Sequence, residues 1–324
     1  MRRREFIGWV VGAIAWALSA RAQQKLPVIG FLGLSPETTP RALNDVRNGL
    51  AEIGYVEGRD FVSEYRPPEY RPDRIAAQAA DLVQSRVVVI VTINLPQSLA
   101  AKGATKSIPI IFWTGADPVA SGLVESLSHP GGNLTGASVL NFAVIAKRLE
   151  VLHELVPAMS LVAHLTNPNN RAFAEAETQA LQVAAHALGV RLLVQNATEP
   201  SEIEPAFATL VQRGASALVV GGDSLFYRNR HRLAELAAHN ELPAVYASRE
   251  YADAGGLAGF GTRYSDGWRL AGNYAGRVLK GEKPSDLPVQ QVSKTELVIN
   301  LRTAKALGIT MPSSLLARAD EVIE

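Results

Sequence analysis

Residues 26–54 read LPVIGFLGLSPETTPRALNDVRNGLAEIG, and this stretch decides the fold class. Its first nine residues form an apolar run carrying the β-branched Val28 and Ile29. Such a run suits a strand buried on both faces of a parallel sheet. Leu43, Val46, Leu50 and Ile53 then recur at steps of three and four, which puts one apolar stripe on a helix. Pro40 before the stripe and Gly54 after it are start and stop signals.

The pattern repeats along the chain. Further strands are expected at 60–65, 87–93, 108–113 and 134–140, with helices at 71–84, 95–106 and 142–156. A second series predicts strands at 161–166, 191–195, 217–220 and 244–247, with helices at 172–188, 201–213 and 225–239. The tail holds a glycine-rich strand (255–261), a helix (264–280), a Pro-marked extended stretch (284–292) and a final helical region. Strands alternating with helices of this length indicate right-handed βαβ units and parallel sheets. The expectation is an α/β protein of two Rossmann-like lobes with parallel sheets. The first lobe takes residues 23–138 plus about 262–288, and the second takes 139–261 plus about 289–324.

Residues 1–22 form an address. Arg2, Arg3 and Arg4 make a positive start, an apolar run spans 6–18, and Ala20-Arg21-Ala22 offers small residues around a cleavage point. This is the three-part pattern of a secretory signal peptide, too short in its apolar part to span a bilayer. Arg3-Arg4-Glu5-Phe6-Ile7 also fits the twin-arginine export motif, so both export routes stay open. The expectation is a mature periplasmic protein from about Gln23.

Composition narrows the function. The chain has 324 residues, 47% hydrophobic and 19% charged, an ordinary globular balance that suits two domains. Removing the four arginines and one glutamate of the address from 32 basic and 31 acidic residues leaves 28 and 30, a net of about −2. A nearly neutral body carries no general basic field for nucleic acid. The chain has no cysteine, which excludes thiolate catalysis, zinc–thiolate sites and disulfides. There is no Walker A loop, no G-x-S-x-G elbow and no early G-x-G-x-x-G, so phosphate-loop, hydrolase and dinucleotide readings lack their motifs. The six histidines show no metal-ligand spacing, and no cofactor or metal is expected.

In open α/β sheets ligands bind outside the carboxyl ends of the strands. That rule selects Ser35, Asn94, the segment from Thr114 to Asp117, Asn167, Asp223 and Tyr246, with Phe142, Phe226 and Tyr227 as further aromatic walls. Asp117 or Asp223 would pair with a ligand ammonium. Each also has a plainer reading: Asp117 as a turn former before Pro118, and Asp223 as an N-cap. On the ligand reading, Asp117→Ala and Asp223→Ala weaken binding without altering folding.

Several segments follow one another in a specific order: IPIIF at 108–112, DPV at 117–119, SGLV at 121–124 and PGGNLTG at 130–136. LKGEKP at 279–284, LPVQ at 287–290, LVINL at 297–301 and AKALG at 304–308 come later. Together they resemble the ABC transporter substrate-binding protein family, whose members include tryptophan and tyrosine binders, over essentially the whole mature chain. The resemblance implies a type I periplasmic binding fold, two lobes joined by three crossings, ligand capture by hinge closure, and an ATP-driven permease in the inner membrane as partner. It places the ligand loops at Ser35, Asn94, Asp117, Phe142, Asn167, Asp223 and Tyr246. Residues 92–96 (TINLP) depart from the Gly/Thr-rich turn frequent in relatives. The expected function is binding of a small molecule, an amino acid or related carboxylate, by a monomeric, non-enzymatic receptor. A sensor delivering its closed form to a membrane receptor, and an enzyme on the same scaffold, are the alternatives.

Overall fold

A computed structural model describes residues 26–34, 36, 39–67, 71–139 and 142–324, without the side chains of Pro72, Phe142, Ala143 and Ala172. The expected export segment and Ser35 lie outside the described residues. The first series of elements is β1 (Val28–Leu32), α1 (Pro40–Glu52), β2 (Val62–Arg66), α2 (Pro72–Gln84), β3 (Val89–Ile93), α3 (Asn94–Ala104), β4 (Ile110–Thr114) and β5 (Leu134–Val139). The second series opens with α4 (Phe142–Leu155), β6 (Leu161–Thr166), α5 (Arg171–Ala187), β7 (Arg191–Asn196) and α6 (Pro200–Gln212). It continues with β8 (Ala217–Val220), α7 (Ser224–Arg228), α8 (Arg230–His239), β9 (Ala244–Tyr246), α9 (Arg249–Asp253) and β10 (Ala258–Thr262). The tail supplies α10 (Tyr264–Leu279), β11 (Gln290–Val292), β12 (Thr295–Asn300), α11 (Leu301–Ala306), α12 (Ser313–Arg318) and β13 (Glu321–Ile323).

Among the described residues the strands form two sheets, ordered β2-β1-β3-β4-β5-β11 and β7-β6-β8-β9-β10-β12-β13. Every pair in the first is parallel. In the second, β10 and β12 alone run antiparallel. Each sheet therefore reverses its order of winding beside its first strand, between β1 and β3 and between β6 and β8. These switch points leave a crevice at the strands' carboxyl ends.

Burial explains why the strands read as continuous apolar runs. Along β3, Val89 and Val91 pack on one face with Phe31 and Ile111. Ile90 packs on the other with Leu32, Leu82 and Phe112. Both faces are covered by helices, as a parallel sheet requires. The second sheet has the same two-sided core, with Val162, Val219 and Val245 on one face and Ala163, Leu218 and Val220 on the other.

The chain leaves the first lobe after β5, returns at Arg263, and leaves again between β11 and β12. The return is fixed by α10 lying against α1. A Cβ on Gly49 would sit 1.8 Å from the Arg269 carbonyl oxygen, and one on Gly272 would sit 1.9 Å from that of Val46. The two helix backbones are in contact, and only glycine permits it. Trp268, Ala271, Tyr274 and Ala275 then fill the first lobe's core.

Three expectations need correction. Residues 290–292 pair with β5 in the first sheet (Gln290 opposite Ala137), so the final crossing falls past the point near 289 where the sequence reading set it. The helix expected at 225–239 is broken at Asn229, whose side-chain amide donates to the Leu225 carbonyl at 2.7 Å and closes α7. The final region is not wholly helical, because residues 295–300 and 321–323 are strands. The Leu297–Ile299 run is too short to carry a period, so its strand character comes from pairing with β10.

Gly272→Ala should force α1 and α10 apart and cost about 1–3 kcal/mol of stability, the usual range for overpacking. Gly103, in α3, has nothing within 4 Å of its would-be Cβ. Gly103→Ala should therefore stabilise by about 0.4–1 kcal/mol. Urea unfolding of the two variants beside the parent checks both signs.

Candidate ligand-binding site

The carboxyl ends of both sheets open onto one cleft of about 1390 Å³ between the lobes. Asn94, Thr114 and Asp117 line it from the first lobe, and Asn167 and Asp223 from the second. Asn94 starts α3 directly from β3 with φ 61°, a left-handed conformation that asparagine tolerates better than most residues. The turn is held by Ser98, whose hydroxyl donates to the Asn94 carbonyl at 2.6 Å and pairs with Thr92 at 2.8 Å.

The acidic loop residues largely bind their own backbone. Asp117 Oδ1 accepts from the Val119 and Ala120 N–H groups at 2.8 and 3.0 Å. The Thr114 hydroxyl accepts from the Ala116 N–H at 3.1 Å. Asp223 caps α7, with Oδ1 accepting from the Leu225 N–H at 2.8 Å. Its carboxylate also accepts from the side-chain amides of Asn167 (3.0 Å) and Asn170 (3.3 Å). These bonds hold the loops that face the cleft.

Tyr246 does not join this set. It is fully buried, stacked on Tyr251 at 4.8 Å in the second lobe's core beside Phe207 and Phe226. Strand alternation sends it inward, and the cleft surface begins at Ala247 and Ser248. The side chain of Phe142 and the whole of Ser35 lie outside the described residues.

Residues that sequence reasoning passed over also line the cleft. Trp113 stacks on Trp268 at 4.7 Å and meets Tyr264 edge-on at 5.0 Å, an aromatic wall on the first lobe. Trp113 directly precedes Thr114, so strand-end logic came within one residue of it. Trp268 and Tyr264 belong to α10 and reach the cleft only through the chain's return.

Carboxylates cluster at one end. Asp45, one turn into α1, faces Glu250 of α9 in the other lobe. Burial raises the Asp45 pKa, and Glu250 and Asp266 raise it further against the pull of Arg41 and Arg269. Glu250 Oε2 is buried and makes no hydrogen bond among the described residues. The hydroxyl of Ser248, a residue 2% exposed in the cleft wall, is likewise unpartnered. Glu296 stands at the crossing, 3.7 Å from Arg249 and 3.9 Å from Arg263, with its pKa raised by burial. Arg41 Nη1 reaches Asp253 Oδ2 at 3.0 Å, an ion pair that joins the lobes. Among the described residues no group of three or more His, Asp or Glu is placed to hold a metal ion, and no helix is long and apolar enough to cross a membrane.

The cap bonds change what loss of Asp223 should do. Asp223→Ala is expected to lower stability by about 1 kcal/mol, the usual worth of an N-cap, besides any effect on binding. Asp223→Asn keeps an acceptor and should lose less. Chemical denaturation of the two variants distinguishes the cap from a pure ligand contact, which would leave both as stable as the parent.

Comparison with known proteins agrees with this architecture. The profile of the family described as ABC transporter substrate binding protein matches residues 34–323. A tyrosine-binding protein of Clostridioides difficile (strain R20291) is 28% identical over 282 residues, 86% of this chain and 81% of that one. An ABC domain from Streptococcus pneumonia solved in complex with L-Trp is 25% identical with a TM-score of 0.80, covering 93% of this chain and all of that one. A substrate-binding protein with adhesive properties from Clostridium difficile, in its ligand-free, open form, is 26% identical with a TM-score of 0.66, covering 92% and 99%. At nearly equal identity and coverage, the structure matches the L-Trp complex more closely than the open form. The two-lobed α/β architecture is the type I periplasmic binding fold. The chain belongs to the ABC transporter substrate-binding protein family.

Proposed function

We propose that this protein is the exported, non-enzymatic binding component of an ABC importer, and that it captures an amino acid, aromatic in the first instance, by hinge closure. The observation that carries the proposal is the pairing of chemistries in one interlobe cleft. Trp113, Trp268 and Tyr264 offer an aromatic wall, while Asp45 and Glu250 approach from opposite lobes. A ligand ammonium between these carboxylates would satisfy the buried Glu250 oxygen and offset the burial, and the lesser repulsion from Glu250, that raise Asp45. Contacts made by both lobes at once favour the closed form, and only such differential affinity drives closure. The relatives named for tyrosine and solved with L-Trp support the ligand class. A permease at the inner membrane and a monomeric, periplasmic carrier complete the reading, with the pattern at residues 1–22 as the export signal.

The test is a thermal-shift screen of protein stripped of ligand by unfolding and refolding. L-tryptophan or L-tyrosine should raise apparent stability, by about 2.7 kcal/mol at one hundred times the dissociation constant. Indole-3-propionate, which lacks the ammonium, should bind at least about tenfold more weakly, a difference of about 1.4 kcal/mol. Glu250→Gln should narrow that gap. A propionate that binds as well as tryptophan would refute the ammonium seat. No shift with any amino acid would refute the ligand class and favour a different solute.

A further inference from the structure

Beneath the loop at residues 221–224 the second lobe buries a charged pair. Arg148 on α4 is 0% exposed and Glu177 on α5 is 1% exposed, with Arg148 Nη1 3.4 Å from Glu177 Oε1. The Gly222 N–H donates to both Glu177 oxygens, at 3.2 and 3.1 Å. Arg148 Nε donates to the Phe260 carbonyl on β10 at 2.8 Å. A Cβ on Gly221 would lie 2.7 Å from Glu177 Oε2, so glycine is what lets the carboxylate lie this close under the loop. Gly222 and Asp223, above it, line the cleft.

A buried ion pair is a poor stabilising device, because desolvation offsets the attraction and an apolar pair packs as well. What this pair does is hold a backbone. The Gly222 amide is tied down toward Glu177, which fixes the direction in which the chain enters Asp223 and α7. We propose that Glu177 is a positioning residue for the ligand loop, tied through Arg148 to β10, the strand leading into the crossing at Arg263. The proposal rests on the reading of the cleft as the ligand site.

The arrangement has a proton signature. Burial pushes the Glu177 carboxyl up to about 7, with Arg148 and the Gly222 N–H opposing and Asp223 adding to the rise. The charged and titratable groups facing it are Arg148 from α4, His164 from β6 and Asp223 from the loop. Burial drives His164 down to about 4, so it stays neutral while Glu177 changes state. As pH falls through about 7, Glu177 takes a proton and its grip on the Gly222 N–H and Arg148 loosens. Ligand affinity should then fall. Stability should move the other way between pH 8 and 6.5, because a carboxyl whose folded pKa lies above its unfolded value adds stability as pH drops. A merely structural role would not separate the two.

The experiment follows the Gly222 amide by NMR in the ligand-free protein from pH 5.5 to 8.5, and measures L-tryptophan and L-tyrosine binding by calorimetry at pH 8 and 6. The amide should titrate near pH 7 in the parent and stay flat in Glu177→Gln. The parent should bind at least tenfold more tightly at pH 8 than at pH 6. Glu177→Gln should show the weaker affinity at both. A Gly222 amide whose shift and titration are the same in Glu177→Gln as in the parent overturns the proposal, as does parent-like affinity of Glu177→Gln at pH 8. If neither amino acid binds the parent, the ligand reading fails while the amide titration still decides the role of Glu177. Should Glu177→Gln not fold, Arg148→Lys takes its place. It keeps the charge but loses the tie to Phe260, and must shift the amide's midpoint.

Discussion

The structure depends on a contact between two helix backbones. α10 follows the second lobe's β10 in sequence, yet it packs against α1 at the opposite end of the chain's order. Gly49 and Gly272 let the two approach until a methyl group would collide with a carbonyl oxygen. This contact commits the chain to return to the first lobe at Arg263, and the return brings Tyr264 and Trp268 to Trp113. Without it the first lobe would lose part of its core, and the cleft would lose two of the three rings of its aromatic wall.

The crossing segments are rich in charge for a related reason. β10 and β12, the second lobe's strands at the crossings, already have sheet neighbours on both sides, so further backbone pairing cannot hold the chain where it passes between lobes. Arg249, Arg263, Glu296, Asp320 and Glu321 pair there instead, with Arg263 at 2.6 Å from Asp320 and Arg249 at 2.9 Å from Glu321. Long polar side chains can keep such contacts through a change of backbone direction where interdigitated apolar ones cannot.

Much of this was legible in the sequence because the signals are local. Buried parallel strands announce themselves as apolar runs, and the helices between them as stripes of Leu, Ile and Val, so the two series and their order were readable. The strand-end rule also found loops that do line the cleft, at Asn94, Thr114, Asp117, Asn167 and Asp223. It failed at Tyr246, because a strand's last residue still obeys the alternation that buries its neighbours. The sequence could not show that Asp117 and Asp223 spend hydrogen bonds on their own turns, since a capping aspartate and a ligand-binding aspartate look alike. Nor could it reach Asp45 and Glu250. They lie inside helices more than two hundred positions apart, and only the apposition of the lobes makes them neighbours.

The ion pair between Arg41 and Asp253 has a consequence for the resting state of the molecule. Its partners are 52% and 37% exposed, so it contributes no more than about 1 kcal/mol, roughly a fivefold change in a population ratio. It is also open to the surrounding electrolyte, whose screening length shrinks from about 30 Å at 0.01 M to about 8 Å at 0.15 M. This pair therefore ties the lobes only weakly, and less so in brine than in fresh water. Salinity itself becomes a setting on the strength of this one clasp between the lobes.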